Sequence, residues 1–458
     1  MRRKRVLIAN RGEIAVRIIK ACEESDIETV LVVSEADQDS LPARLADKVV
    51  CIGPPQVNLS YLNIPMIIAT AQGTGADAIH PGYGFLAENP TLPKACEDNG
   101  IIFIGPRSET MRQLGDKISA RNLAIKCNVP INEGSDGLAD FNDVEAKADE
   151  IGFPVLIKAA AGGGGRGMRI VTEAKDLKSA FDMASNEAQQ AFGDPTLFVE
   201  RYVQNARHVE VQIMGDNFGR IVHFGQRDCS SQRRYQKVVE EAQPIGLSDQ
   251  LTDEISAAAV ALAKGINYNS AGTVEFLVDK DRNQFYFMEV NTRIQVEHPV
   301  TEEITGVDLV KEQIRVAFGH ELSMNQSDIR YKGHAIECRI TAEDSSNDFM
   351  PTPGRITRFA VPYGENIRVD THCHQGYMIS PFYDSLMGKV IATGESRDEA
   401  LENLKSALAN FEIEGVKSNI PFLQFLVSRP EFKAGDINVK WIESSVLPDF
   451  LRSLEKEG

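Results

Sequence analysis

Short apolar runs alternate with helical-period stretches through the first hundred residues. Residues 6–9 read as a strand, and residues 14–22 place Ile14, Ile18 and Cys22 on one face of a helix. Residues 29–33 and 49–52 read as further strands, 64–72 as a helix and 101–104 as a buried strand. Strands alternating with helices predict a mostly parallel sheet with helices on its faces. A helix from Gly115-Asp116-Lys117 to about Cys127 changes the register, and a Gly/Ser/Asp-rich stretch at 133–137 marks a boundary. A smaller α+β unit is predicted next: helix 143–151, strand 155–158, a glycine loop, strand 168–172, helix 174–192 and strand 196–200. Strand pairs continue through 209–214, 221–225 and a hairpin near 273–291, flanked by helices at 251–264 and 307–318. From Gly333 strands dominate, with a helix at about 397–409.

The hairpin carries the strongest chemical signal. Extended backbone alternates its faces, so Glu289, Asn291 and Arg293 are expected on one side of the run from Glu289 to Pro299. A hairpin centred on Arg282 sets Glu275 directly opposite Glu289. Two carboxylates so placed repel unless a cation lies between them. Glu275, Glu289 and the Asn291 carboxamide are hard oxygen donors that suit Mg²⁺ or Mn²⁺. Arg293 then offers an anion clamp and Glu297 a base, which together point to a metal–phosphate site.

Composition narrows the partners. With 458 residues, 42% hydrophobic and 25% charged, the chain is an ordinary globular protein long enough for several domains. Its formal charge of −17 argues against nucleic acid or an anionic membrane surface as the main partner. An anionic substrate must therefore be met by locally gathered Lys and Arg. The seven cysteines form no Cys-x-x-Cys pair, as expected of buried thiols in a reducing compartment. The basic start Met1-Arg2-Arg3-Lys4-Arg5 precedes too short an apolar run for a signal peptide, and no run of eighteen apolar residues occurs. A cytoplasmic protein is expected.

Other motifs refine the chemistry. Ala161-Gly162-Gly163-Gly164-Gly165-Arg166-Gly167 formally contains Gly-x-Gly-x-x-Gly, but a strand follows where a dinucleotide-binding turn needs a helix. A glycine loop between two strands can instead close over phosphates and donate backbone N–H groups, with Lys158 supplying charge. The first strand's turn, Asn10-Arg11-Gly12-Glu13, lacks the dinucleotide fingerprint. His80-Pro81-Gly82-Tyr83-Gly84-Phe85 follows a strand end that opens onto a crevice. Residues 232–241 form a basic patch in an acidic protein, fit either for solvent or for a small anion beside the metal. Thr371-His372-Cys373-His374 lacks the further ligands at recognisable spacing that a zinc site requires.

Taken in order, these stretches resemble the biotin carboxylase family of ATP-grasp ligases over nearly the whole chain. Asn10-to-Ala15, His80-to-Phe85, the glycine loop, Arg227-Asp228-Cys229-Ser230, Glu289-to-Pro299 and His334-Ala335-Ile336-Glu337-Cys338-Arg339 carry the likeness. The resemblance implies an α/β and α+β fold in three parts. These are an N-terminal Rossmann-like parallel sheet (1–114), a central ATP-grasp region (115–332, with a mobile glycine-rich lid at about 132–203) and a mostly β C-terminal domain (333–458). It also implies homodimers.

The same resemblance implies that Lys117, Lys158, Gly164, Gly165 and His208 contact ATP, with the adenine edge read along Glu200, Arg201 and Val203. Glu275, Glu289 and Asn291 would hold Mg²⁺ or Mn²⁺, with two ions expected. Lys237, Arg293 and the Val296 main chain would hold bicarbonate, with Glu297 as base and Arg339 facing the ureido ring of biotin. Tyr235 departs from the pattern, since many members carry His there. No Met is followed by Lys-Met, the core of a biotinyl domain, so biotin is expected on a separate carrier protein, with carboxyltransferase subunits as further partners. Acetyl-CoA carboxylase in fatty-acid synthesis is the expected setting, and a pyruvate or other acyl-CoA carboxylase the alternative. Another ATP-grasp ligase or a non-catalytic ATP-binding module lies further off.

Overall fold

Arg5–Ile8 is the middle strand of a five-stranded parallel sheet in the computed structural model, which describes residues 2–160 and 168–457. Across the sheet the order is Lys48–Cys51, Glu28–Val33, Arg5–Ile8, Ala78–His80 and Ile102–Phe103. Val6 and Ile8 pack with Ile14 and Ile18 of the first helix (Gly12–Glu23), while Leu7 and Ala9 face Ile67 and Ala71 of the helix Ile64–Thr74. Burial on both faces is why the inner strands Arg5–Ile8 and Glu28–Val33 read as unbroken apolar runs. The element ends fall within two residues of those expected.

The first turn is locked to the His80–Phe85 loop. The Asn10 amide donates to the carbonyls of Pro81 (2.6 Å) and Tyr83 (2.7 Å). Gly82 has φ 62°, and a Cβ there would lie 2.9 Å from the Asn10 amide nitrogen. Only glycine meets both demands without a shift.

The small α+β unit is a three-stranded antiparallel sheet in the order Arg169–Val171, Val155–Ala159, Leu197–Arg201. Helices Phe141–Ile151 and Leu177–Phe192 cover it through Val144, Ala148, Ala184 and Ala188. Gly164 and Gly165 lie outside the described residues.

An eight-stranded antiparallel sheet forms the largest layer. Its order is Gln284–Asn291, Ser270–Asp279, Ala206–Gly215, Ile221–Arg233, Gln236–Ala242, His334–Thr341, Leu386–Gly394, Ile367–Thr371. The sheet therefore runs unbroken from the central part of the chain into the part after Gly333. Two features differ from expectation. The strand expected over 221–225 continues to Arg233, and most of the expected basic patch is a strand pairing Val239, Glu240 and Glu241 with Cys338, Glu337 and Ile336. Its acidic end is paired in the interior, Glu240 accepting from Arg339 and Glu241 from Arg397, while Arg234 at its turn stays exposed. Second, helices Ile420–Val427, Pro430–Ala434 and Leu447–Glu457 follow the expected helix Arg397–Ala409. Ile420–Val427 buries Phe422, Leu423, Leu426 and Val427 and is apolar around most of its circumference, which erases the helical period.

Candidate active site

A bulge brings the two hairpin carboxylates together. Asp279 pairs with Gln284 and Phe276 with Phe287, so the turn is centred between Asp281 and Arg282 rather than on Arg282. An uninterrupted ladder would set Glu275 against Met288. One extra residue at Met288 shifts the register, and Glu275 pairs with Glu289 as expected. Both line a cleft of about 1520 Å³, together with Lys117, Lys158, Lys237 and Arg339.

Lys237 is the hub of the cleft floor. It projects from the strand Gln236–Ala242, and its Nζ donates to Glu210 (2.6 Å), Glu297 (2.7 Å) and Glu275 (2.9 Å). Each carboxylate has a second basic partner. Arg227 donates to Glu210 at 2.5 Å, Arg339 to Glu297 at 3.0 Å, and His208 Nε2 lies 3.2 Å from Glu275. Arg339 also donates through Nε to Glu240 at 2.5 Å. Arg293, the expected anion clamp, is held by Glu88 (3.0 Å), Gln295 (2.7 Å) and the Asn291 carboxamide oxygen (3.1 Å). Asn291 donates in turn to Glu275 at 2.8 Å. The repulsion expected between Glu275 and Glu289 is thus already offset on the Glu275 side by Lys237, His208 and Asn291.

These contacts set the charges. Burial alone would raise the Glu297 carboxyl, but Lys237, Arg339 and Arg227 hold it well below the usual carboxylate range. Glu275 is held low against burial by Lys237 and His208. Burial pushes the Glu240 carboxyl up to about 7 despite Arg339. Burial would lower Lys237, yet its three carboxylates hold it well above an ordinary lysine. Glu289 is raised first by enclosure in the cleft and then by the charge of Glu275.

On the nucleotide side Lys158 pairs with Glu200 at 2.7 Å across adjacent strands. Burial and the nearby Lys158 lower the pKa of Lys117, which opens the helix Lys117–Lys126. His208 Nδ1 meets the Gln232 amide at 2.8 Å. The Arg201 side chain is committed to Asp279 (3.0 Å) and the Tyr286 hydroxyl (2.9 Å). Val203 is buried against Ala206 and Tyr286.

The donor set fits a divalent cation. Among the described residues the Glu289 carboxylate makes no hydrogen bond or ion pair, and Glu275 stands opposite it. A carboxylate without a direct partner facing another, with a carboxamide two residues on, attracts a hard cation. Sequence reasoning missed Glu210, Glu240, Glu88 and Gln295. Period-two spacing with His208 on the strand Ala206–Gly215 could have exposed Glu210. Glu88 joins Arg293 across 205 residues, beyond the reach of any local pattern.

Two sheets close on one cleft from separate parts of the chain, one bearing Lys158 and the other Glu275 and Glu289, and this arrangement defines an ATP-grasp ligase. Family profiles sharpen the class. Residues 2–111 match the biotin carboxylase N-terminal domain, 116–325 the ATP-binding domain of the carbamoyl-phosphate synthase L chain, and 337–444 the biotin carboxylase C-terminal domain. Biotin carboxylase 1 of Bacillus subtilis is 48% identical, over 96% of this chain and 98% of that protein. One of the pyruvate carboxylase subunits of Methanothermobacter thermautotrophicus is also 48% identical, over 96% of this chain and 89% of its own. The dimeric biotin carboxylase domain of Hydrogenobacter thermophilus 2-oxoglutarate carboxylase, solved with MgADP, ADP and bicarbonate, superposes with a TM-score of 0.93. That domain is 45% identical, over 98% of both chains. The chain belongs to the biotin carboxylase family, whose members are ATP-dependent ligases.

Proposed function

We propose that this chain carboxylates the ureido nitrogen of biotin held on a separate carrier protein, using ATP and bicarbonate, as the first half-reaction of an acetyl-CoA carboxylase in fatty-acid synthesis. The observation that carries the reading is Glu297, a fully buried carboxylate kept ionised by Lys237 and Arg339, two residues that line the cleft. Bicarbonate is a weak nucleophile. When it takes over the Lys237 and Arg293 donors, Glu297 loses part of its cationic support and becomes a stronger base. It can then take the bicarbonate proton as a bicarbonate oxygen attacks the γ-phosphorus and ADP departs. A divalent cation held by Glu275, Glu289 and Asn291 would offset charge on the phosphoryl oxygens. The resulting carboxyphosphate splits into CO₂ and phosphate away from bulk water. Phosphate then removes the ureido proton while Arg339 offsets charge on the ureido oxygen, and the nitrogen attacks CO₂.

Within this reading Lys117, Lys158, His208 and the loop at Gly164 and Gly165 hold the nucleotide phosphates, and the Glu200–Val203 main chain reads adenine. The Val296 main chain contacts bicarbonate. The chain divides at about 114 and 332 into three parts and works as a cytoplasmic homodimer with carrier and transferase subunits. No helix among the described residues is long and apolar enough to cross a membrane. The equal identity to the pyruvate carboxylase relative favours pyruvate as the second candidate acceptor.

ATP cleavage measured with bicarbonate, with and without free biotin, tests the reading. Strong stimulation by biotin is expected; stimulation by ammonia or an amino acid instead would assign the site to another ligase. Copurification with a particular transferase decides between acetyl-CoA and pyruvate.

A further inference from the structure

Lys389 is a buried lysine with no place in the chemistry above. It sits on the strand Leu386–Gly394, opposite Arg339 and Asp370 on the neighbouring strands, with none of its side chain exposed. Its ammonium donates to the main-chain carbonyl of Val296 at 2.6 Å and lies 3.2 Å from Glu13 and 4.0 Å from Asp370. Glu13 belongs to the first helix and accepts from the Tyr83 hydroxyl. A single cation thus joins the N-terminal helix, the C-terminal strand and the segment that leads into Glu297.

The neighbouring peptide is held by a different group. His298 Nδ1 lies 2.7 Å from the carbonyl of Gln295. A carbonyl can only accept, so this ring nitrogen carries the proton. Two successive carbonyls, Gln295 and Val296, are therefore each fixed from behind by a buried donor. In a trans peptide the N–H points away from its C=O. Fixing these two carbonyls aims the N–H groups of Val296 and Glu297 the opposite way, and Gln295 and Val296 line the cleft. Among the described residues neither N–H donates a hydrogen bond to the protein.

We propose that Lys389 is a positioning residue for the bicarbonate step, holding the Val296–Glu297 peptide so that its backbone N–H and the Glu297 carboxylate keep a fixed orientation toward the bound anion. The inference rests on the bicarbonate reading of the cleft. A hydrocarbon side chain at 389 would fill the space and release the carbonyl. Burial would lower the charge on such a lysine, but Glu13, Glu337 and Asp370 hold it protonated, so the donor persists across the working pH range.

Lys389→Met tests this in the full-length chain. Removing one partner of a buried ion pair destabilises by leaving the other charge unpaired, so the double variant Lys389→Met/Glu13→Gln is made alongside to neutralise both. In the folded protein kcat/KM for bicarbonate should fall at least about tenfold while the KM for MgATP stays within about threefold. A purely structural role would not separate the two substrates. If the double variant regains both stability and wild-type bicarbonate kinetics, Lys389 serves packing alone and the proposal falls. If it regains stability and keeps the bicarbonate defect, the positioning role stands. Wild-type protein without bicarbonate-dependent ATP cleavage would overturn the parent reading and this proposal together, whereas an active wild type leaves the variants to judge Lys389 alone.

Discussion

Lys237 and Glu297 meet at 2.7 Å, and the same ammonium also reaches Glu210 and Glu275. The proposed base is therefore cation-paired before substrate arrives and can act only after an incoming anion draws Lys237 away. Glu297→Gln keeps the shape but cannot take a proton. Bicarbonate-dependent turnover should drop by about 10²-fold or more, with MgATP binding intact by direct titration. Turnover within about threefold of wild type would remove Glu297 from the mechanism.

Glu289 faces Glu275 and forms no direct ion pair among the described residues, with only the nearby charge of Lys117 to offset it. Glu289→Gln should raise the Mg²⁺ concentration needed for half-maximal ATP cleavage. Stability in a chelator should be unchanged or slightly higher, because a like-charge pair is removed. A marked fall in the metal-free melting temperature would identify the pair as a structural element instead.

Glu241 supplies a pH signature away from the cleft. Burial would raise its carboxyl, but hydrogen bonds from Arg397 (2.6 and 2.9 Å) and His334 (3.0 Å) take it down to about 2. A carboxyl depressed on folding contributes stability that is present above its unfolded pKa and lost as pH falls through the folded one. The contribution is about 3 kcal/mol at neutral pH and fades between about pH 4.5 and 2. Glu241→Gln should be less stable than wild type in neutral urea melts, and the gap should narrow as pH falls through that window. A gap independent of pH would mean the carboxylate charge is not its source.

Arg234 and Tyr235 form a two-residue turn with φ of 48° and 63°, a conformation that side chains other than Asn, Asp and His adopt reluctantly. Tyr235 is half exposed, with the Lys440 ammonium 5.6 Å from its ring. Tyr235→His should leave stability within about 0.5 kcal/mol, since surface substitutions rarely do more. It should move the KM for ATP by less than about tenfold. Tyr235→Ala should cost more, because it removes the packing surface over Lys440. Abolished activity in Tyr235→His would assign the phenol a role that its position beside Lys440 does not explain.

The N-terminal sheet was legible because parallel strands buried on both faces spell continuous apolar runs, as residues 30–33 do. The Glu275–Glu289 pairing was legible too, although the Met288 bulge that produces it was not, since nothing in the local pattern marks an extra residue there. The places of Glu240 and Glu241 were not legible because charge in sequence reads as exposure, whereas here Arg339 and Arg397 compensate it inside the sheet. Lys389 escaped notice for the same reason. Its partners Glu13 and Val296 lie 376 and 93 residues away, so only the folded chain brings them together.

The continuous eight-stranded sheet bears on how this protein can be taken apart. Severing the chain near Gly333 and separating the halves would strip Gln236–Ala242 of its neighbour His334–Thr341, leaving a row of unpaired backbone donors and acceptors along each cut edge. Exposed edges of this kind recruit other chains. Fragments produced separately should therefore precipitate, whereas the same two pieces made together in one cell should zip along that seam and stay dissolved.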